Sequence, residues 1–313
     1  MKVLVLGASG FIGFPVAQAL SRAGHTVYGL TRSATKAKQL AADEIIPIIG
    51  DPSVSDTWIH LVPTLDVVIE AIGGTADLRN IAVSLLSTVG TAAQATRPPS
   101  APKITYIYTS GMWVHGSSPN EFICDTTPLN PITLVAWRPA VEQAILKDEK
   151  VNGIVIRPAL LYGKSASLLD PVFEAAATGG KVAWYGKPGG RFALIHPDDL
   201  ADLYVRVVEK APILGGLAID AGNENTEPVD DFLQRLLEVS GAKGPYEWIT
   251  PSNLFEEALS TTQLLRPYLA KSLLGWSQKK PGLTEGLPLY YAAWKVLQDG
   301  KEKGETLFAA LTS

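Results

Sequence analysis

An apolar run from Lys2 to Leu6 ends directly on Gly7, and two further glycines follow at three-residue spacing, Gly10 and Gly13. No other feature restricts the fold as much. Five residues rich in Val and Leu, with no polar alternation, read as a strand covered on both faces, and such strands belong in parallel sheets. The stripe Phe11, Ile12, Val16, Ala19 and Leu20 then predicts a helix. Between strand and helix the glycines serve separate purposes. Gly7 allows the tight turn, Gly10 lets the backbone approach a phosphate, and Gly13 lets the helix pack on the strand. A turn of this kind sets a diphosphate against the free N–H groups and positive end of the helix. Gly7 to Gly13, with Ser9, Phe11 and Ile12, is therefore a candidate dinucleotide-binding segment.

The rhythm of the chain supports that reading. Further strands are predicted at Thr26 to Leu30, Glu44 to Ile49, Asp66 to Ile72, Ile104 to Thr109 and Val151 to Arg157, and helices at Gly13 to Ala23, Ala34 to Ala42, Leu78 to Thr96 and Ala140 to Lys150. Such alternation predicts an α/β fold, a Rossmann-type doubly wound parallel sheet, with ligands beyond the carboxyl ends of the strands. Beyond Gly163 the elements shorten and Gly and Pro clusters multiply, which predicts a smaller, mostly C-terminal α+β lobe. The expected division is residues 1–165 for the dinucleotide-binding domain, with 193–221 rejoining it, and 166–313 for a mostly substrate-side lobe. Leu217 to Ala221 is expected to return to the main sheet, and His196 to Ala201 to start a helix. The tail from Pro281 to Ser313, with Trp294, Leu297 and Phe308, is expected to form a helix pair.

Composition narrows the partners. The 313 residues carry a net charge of −4 with dispersed basic side chains, which argues against a nucleic-acid partner. No stretch has the length and apolarity of a membrane span, so no membrane partner is expected. Cys124 is the single cysteine, which excludes an intrachain disulfide and suits a reducing compartment; it is expected to be a small buried residue. With no targeting segment at the amino terminus, a cytoplasmic location is expected. The four histidines are dispersed, and no metal site is expected.

Six signals then fall in one order: GASGFIG, Gly50-Asp51 after the third strand, Ala71 to Gly74 after the fourth, Thr109-Ser110 after the fifth, IRPALLYG at Ile156 to Gly163, and His196 to Ala201. That order resembles the extended short-chain dehydrogenase/reductase family, which contains NAD-dependent epimerases, dehydratases and related reductases. The resemblance covers roughly residues 1–220. It implies a nicotinamide dinucleotide across Gly7 to Gly13, Asp51 at the adenine amino group, Ala71, Ile72 and Gly73 along the cofactor, and Pro158, Leu160 and Leu161 against the nicotinamide. A carboxylate at the end of the second strand would repel a 2′-phosphate; Thr31, Arg32 and Ser33 stand there instead, so NADP is expected in preference to NAD.

The family's YxxxK signature is missing where the alignment requires it. Aligned on Glu142, Leu134 takes the tyrosine position and Arg138 the lysine position. Leucine transfers no proton. Arg138 can bond to ribose yet stays charged, so it joins no proton relay. The family's substrate-orienting hydroxyl falls near Gly111, leaving Thr109 or Ser110 as substitutes. His115, Tyr162 and solvent water are the candidates for the proton, with a satisfied loop histidine and a core aromatic as the alternative readings of the two side chains. Trp113, Trp137, Trp184, Tyr185 and Phe192 are candidates for an aromatic pocket, and Arg191 resembles a phosphate-contacting position of sugar-nucleotide enzymes. The expected activity is redox chemistry on a small carbonyl, alcohol or activated double bond. A cofactor-binding module without catalysis and a non-redox isomerase or lyase are the alternatives. The resemblance also allows a homodimer built on the helices at 78–96 and 140–150.

Overall fold

The computed structural model describes residues 1–74, 77–165 and 167–299. Seven strands, β1 (Lys2–Leu6), β2 (Thr26–Thr31), β3 (Ile46–Ile49), β4 (Val67–Glu70), β5 (Thr105–Thr109), β6 (Asn152–Pro158) and β7 (Ala218–Ala221), form one sheet. Their order is β7-β6-β5-β4-β1-β2-β3, and every pairing is parallel. Val3 of β1 pairs with Val27 on one side and Val67 on the other. The strand order therefore reverses at β1, and the glycine turn leaves the sheet at this switch point, where open α/β sheets bind ligands.

The helices are α1 (Gly13–Arg22), α2 (Ala34–Ala42), α3 (Leu78–Thr96), α4 (Arg138–Leu146), α5 (Asp170–Ala177), α6 (Pro197–Glu209), α7 (Val229–Ser240), α8 (Leu254–Leu259), α9 (Leu269–Leu274) and α10 (Leu287–Asp299). α4 starts two residues earlier than the periodicity suggests, because Pro139 fits a first helical turn. It also stops earlier, because the Asp148 carboxylate accepts from Lys150 N and Val151 N and turns the chain into β6. β3 begins at Ile46 rather than Glu44, since Glu44 adopts φ +60° and Ile45 N donates back to Leu40 of α2.

Alternate residues of the sheet face opposite layers. Val5, Ile69, Ile107, Ile154, Ile156 and Ile219 pack against α1 and α6. Leu4, Leu6, Val68, Tyr106, Tyr108 and Val155 pack against α3 and α4. Each such aliphatic side chain contributes roughly 1.5–3 kcal/mol by leaving water, so the double cover holds the strand ends firmly in register. A third cluster, built from Phe173, Trp184, Phe232, Leu236, Tyr291 and Trp294, ties α5, α7 and α10 together. Two short parallel pairings link the outer segments to the sheet region: Leu160–Leu161 with Leu194–Ile195, and Ser118–Ile123 with Gln263–Leu265. The expected helix pair at the tail begins with α10; its remainder, Phe308 included, lies outside the described residues. Cys124 is half-buried rather than buried, with Thr126 and Thr127 hydroxyls near its sulfur. Among the described residues no helix is long and apolar enough to cross a membrane.

Candidate functional site

Backbone contact shapes the turn. Gly7 has φ +86°, and a Cβ there would lie 2.5 Å from the Ala71 carbonyl oxygen. At Gly13 a Cβ would lie 2.1 Å from the Gly7 oxygen. The end of β1, the start of α1 and the loop after β4 thus meet without room for side chains. Gly10 N donates to Gly7 O at 2.9 Å, closing the turn, while beside Gly73 the space is open. At the end of β2 the Thr31 and Ser9 hydroxyls lie 2.8 Å apart, and the Ser33 hydroxyl caps α2 by accepting from Lys36 N. Arg32 is exposed and has no ion-pair partner among the described residues. Asp51 turns back on its own loop: its Oδ1 accepts from the Ser53 hydroxyl and from Ser53 N, which holds its pKa down.

Beyond the turn lies a cavity of about 570 Å³. Ile12, Ser110, Leu134, Arg138, Pro158 and Leu161 bring the sheet side of its wall, and Phe192, Phe255, Leu259 and Gln263 bring the outer side. The volume falls in the ordinary range for small-molecule sites. Trp113 and Trp137 add indole faces; Trp113 meets Phe255 edge-on at 6.4 Å, and the Arg138 guanidinium stands 4.8 Å from the Trp137 ring centre.

Two buried polar systems support the wall. In one, Arg138 donates to the Tyr108 hydroxyl at 3.0 Å, while the Tyr106 hydroxyl nearby donates to Glu70 at 2.5 Å. Burial raises the Glu70 carboxyl to about 7, against the lowering effects of the Tyr106 bond and Arg138. Burial also pushes the Tyr108 phenol up. In the other, Ser110 donates to Glu142 Oε1 at 2.5 Å, and Arg157 grips Glu142 Oε2 through Nε at 3.1 Å and Nη2 at 2.7 Å. Arg157 Nη1 reaches Asp220 at 3.4 Å, and His115 Nε2 stands 3.1 Å from the same carboxylate. Asp125 extends the chain by accepting from Asp220 N and from the backbone of Tyr268 and Leu269. Glu142 and Asp220 are fully buried, and such charges persist only when paired and bonded in this way.

The structure brings some candidates together and separates others. Ser110, Arg138, Ile12, Pro158, Leu160 and Leu161 line the cavity. His115 and Tyr162 do not stand on its described wall. His115 belongs to the buried chain just traced, paired with a carboxylate rather than with backbone. Tyr162 is a core aromatic: its hydroxyl donates to Pro281 O at 2.8 Å and accepts from Asn223 at 3.3 Å, with His196 and Tyr290 against its ring. Nε2 of His115 faces Asp220 while its Nδ1 has no hydrogen-bond partner among the described residues, and the Tyr162 hydroxyl is engaged by Pro281 and Asn223. Thr109 is likewise spent on Tyr204, with the hydroxyls 2.6 Å apart.

Of the expected aromatic pocket, Trp113, Trp137 and Phe192 reach the cavity, whereas Trp184 is a core residue donating to Leu259 O and Tyr185 lies outside the wall. Arg191 bonds Thr226 at its hydroxyl and carbonyl. His196 caps α6 by accepting from Asp198 N, and burial lowers its pKa to about 4. Asp199 accepts from Lys279 N and Lys280 N, so this segment is a helix start braced by the later chain. The spacing Tyr-x-x-x-Lys does occur at Tyr291 and Lys295, but on α10, where Tyr291 packs in the third cluster on Phe173 and Trp294. Sequence reasoning missed Arg79, Phe255, Leu259, Thr261 and Gln263 as wall residues. All but Arg79 lie beyond the resembling region, and no local signal marks them.

The open space beside Gly73, the close turn at Gly7 and Gly13 and the exposed Arg32 fit a dinucleotide of the kind the family uses. Comparison with known proteins agrees at the level of the fold. The dTDP-glucose 4,6-dehydratase of Bacillus anthracis, in complex with NAD, superposes with a TM-score of 0.80 at 17% identity, covering 96% of this chain and 98% of that one. A human epimerase family protein with NADPH gives 0.69 at 20% identity, covering 93% and 99%. In sequence, an uncharacterized protein of Schizosaccharomyces pombe is 28% identical over 67% of this chain and 71% of its own. A 3-diazoavenalumate denitrifying reductase of Streptomyces is 24% identical over 92% of this chain and 99% of its own. The model of the NAD dependent epimerase/dehydratase family matches residues 3–215, the stretch that supplies the turn and most of the sheet side of the cavity, and the chain belongs to that family.

Proposed function

We propose that the chain is an NADP(H)-dependent oxidoreductase acting on a small organic carbonyl, alcohol or activated double bond. One observation carries this reading: the apolar cavity opens against Pro158–Leu161, the segment that the family resemblance assigns to the nicotinamide, and reaches Ile12 of the turn it assigns to the diphosphate. Substrate and cofactor then share one chamber. The bound cofactor supplies or takes up a hydride. The chain's own residues do the rest. Gly7 to Gly13 receive the diphosphate, Ala71 to Gly73 leave room beside it, and Arg138, steadied by Tyr108, donates to the ribose. Arg32 offers its guanidinium to the 2′-phosphate, which favours NADP over NAD. Leu134 and the apolar wall exclude bulk water and align the reacting carbon. With Leu134 unable to carry a proton, water entering the cavity delivers it. The reductase named among the relatives supports redox chemistry on this framework.

Calorimetric titration with NADPH and NADH tests the cofactor. NADPH is expected to bind at least 10-fold more tightly, and Arg32→Ala to erase that difference, about 1.4 kcal/mol, while leaving NADH binding unchanged. NADPH oxidation with a panel of enones, ketones and aldehydes tests the reaction. Leu134 at the family's tyrosine position favours a second reading, a cofactor-sensing module without turnover. Tight NADPH binding with no turnover across the panel would move the assignment to it.

A further inference from the structure

Three polar side chains of the cavity wall, Ser110, Thr261 and Gln263, have their protons committed within the protein, and this points to a class of substrate. Ser110 lines the cavity, and its single hydroxyl proton is directed to Glu142, which Arg157 holds from the other side. A carboxylate so held only accepts, so the Ser110 oxygen has lone pairs alone to offer a ligand. Thr261 repeats the pattern, donating its hydroxyl proton to Ala258 O at 2.8 Å. Gln263 is 5% exposed and donates through Nε2 to two backbone carbonyls, Met112 O at 2.7 Å and Gly116 O at 2.9 Å. Two carbonyl acceptors fix which end of the amide is nitrogen, and Oε1 has no hydrogen-bond donor among the described residues. Three wall residues are thus acceptors by prior commitment of their protons. The charged groups on the described wall are both cations, Arg79 and Arg138, and the rest is mostly aliphatic and aromatic.

We propose that this cavity selects a planar, apolar monoanion that also carries a hydroxyl or amino hydrogen-bond donor, of the hydroxyaryl carboxylate type. Arg79, the wall cation that the cofactor ribose does not engage, neutralises the anion, Trp113, Trp137 and Phe255 cover the flat apolar body, and Ser110, Thr261 and Gln263 receive the donor. A neutral sugar, rich in hydroxyls and poor in apolar surface, fits this wall badly: most of its polar groups would lie against carbon without partners. The proposal rests on the cavity being the substrate chamber, and it adds the selection rule that the chamber enforces.

The probe is 4-hydroxycinnamate, titrated by calorimetry into the full chain with saturating NADP⁺, after NADP⁺ binding itself has been recorded. Three analogues remove one feature each: 4-methoxycinnamate lacks the donor proton, cinnamate lacks the oxygen, and 4-hydroxycinnamamide lacks the charge. The expected result is binding of 4-hydroxycinnamate with at least a 10-fold loss for each analogue. Ser110→Ala is expected to shrink the hydroxy-to-methoxy ratio several-fold, and Arg79→Leu to shrink the acid-to-amide ratio. Equal affinities across the four probes, or tighter binding of a UDP-sugar than of 4-hydroxycinnamate, would overturn the selection rule. The analogue series on the unaltered protein decides the matter even where a variant folds poorly. Failure of NADP⁺ to bind is read separately and strikes the proposed function; the same series on cofactor-free protein then still reports on the wall.

Discussion

The two ends of the cleft are built from different materials. At the glycine turn, contact is backbone to backbone: Gly7 meets Ala71 and Gly13 meets Gly7, with no side chain between them. At the cavity, contact is side chain to side chain, and the wall gathers residues as far apart in the chain as Ile12 and Gln263. A backbone cradle has one shape and tolerates no added atom. A wall of side chains can change its occupant through single replacements while the sheet beneath it stays the same. The difference teaches that cofactor binding is the fixed half of this molecule and substrate selection the adjustable half. Beneath the cavity, the buried chain from Ser110 through Glu142 and Arg157 to Asp220 ties the wall to the edge strand β7 and, through Asp125, to the outer segments.

The largest effect is expected from breaking that buried chain. Glu142→Ala leaves Arg157 as a buried cation with only Asp220 at 3.4 Å to answer it. Removing one partner of a buried pair costs about 3–5 kcal/mol, so urea unfolding should show a loss of that order. A loss below about 1 kcal/mol would mean that this buried chain does not brace the wall. Gly13→Ala attacks the fixed half alone. Its Cβ overlaps the Gly7 oxygen, the helix must move off the strand, and NADPH affinity should fall at least 100-fold, about 2.7 kcal/mol. The 4-hydroxycinnamate affinity of the cofactor-free variant should fall far less, because Ile12 is the wall residue that moves with the turn while the rest of the wall stands on other segments.

A comparable effect is expected from Glu70, which lies beneath Arg138 and so between the halves. Its carboxyl is raised, chiefly by burial, from 4.5 to about 7. A raised acid keeps its proton in the folded state while the unfolded chain has already released it. Stability should therefore fall as pH rises from about 4.5 to about 7 and then level off, with a total change on the order of 3 kcal/mol. Glu70→Gln should flatten that slope and make the protein more stable than the parent at pH 8. Urea unfolding of both proteins across this range reads the slope directly; parallel curves would remove Glu70 from the account.

How much of this was legible follows the same division. The strands and the glycine turn were readable because each depends on neighbours within a few residues: a β-rich run and a glycine spacing. The wall was half readable. Ser110, Arg138 and Pro158 sit just after strands or at a helix start, where a doubly wound sheet presents its ligand-facing residues. Gln263 and Phe255 were not readable, since their place depends on Gln263–Leu265 pairing with Ser118–Ile123 across more than a hundred residues of chain. The partners of His115 and Tyr162 were not readable for the same reason. Their sequence positions are those of loop residues near a cofactor, and only the fold reveals that Asp220 and Pro281 engage them.

Tyr162 gives the smallest effect and the sharpest discrimination. Its hydroxyl bonds Pro281 O and Asn223 inside the core, so Tyr162→Phe removes one donor and one acceptor and keeps the ring. A net loss of about 1 kcal/mol in stability is expected, the ordinary worth of a buried hydrogen bond. A residue of the core should leave kcat for NADPH oxidation, and its dependence on pH, within two-fold of the parent. A group that moved a proton at the nicotinamide would instead lower kcat by at least 100-fold and shift the pH profile. Measuring both quantities on one variant separates a brace of the outer lobe from a member of the reacting chamber. The edge-on packing of His196 and Tyr290 around the ring predicts the first result.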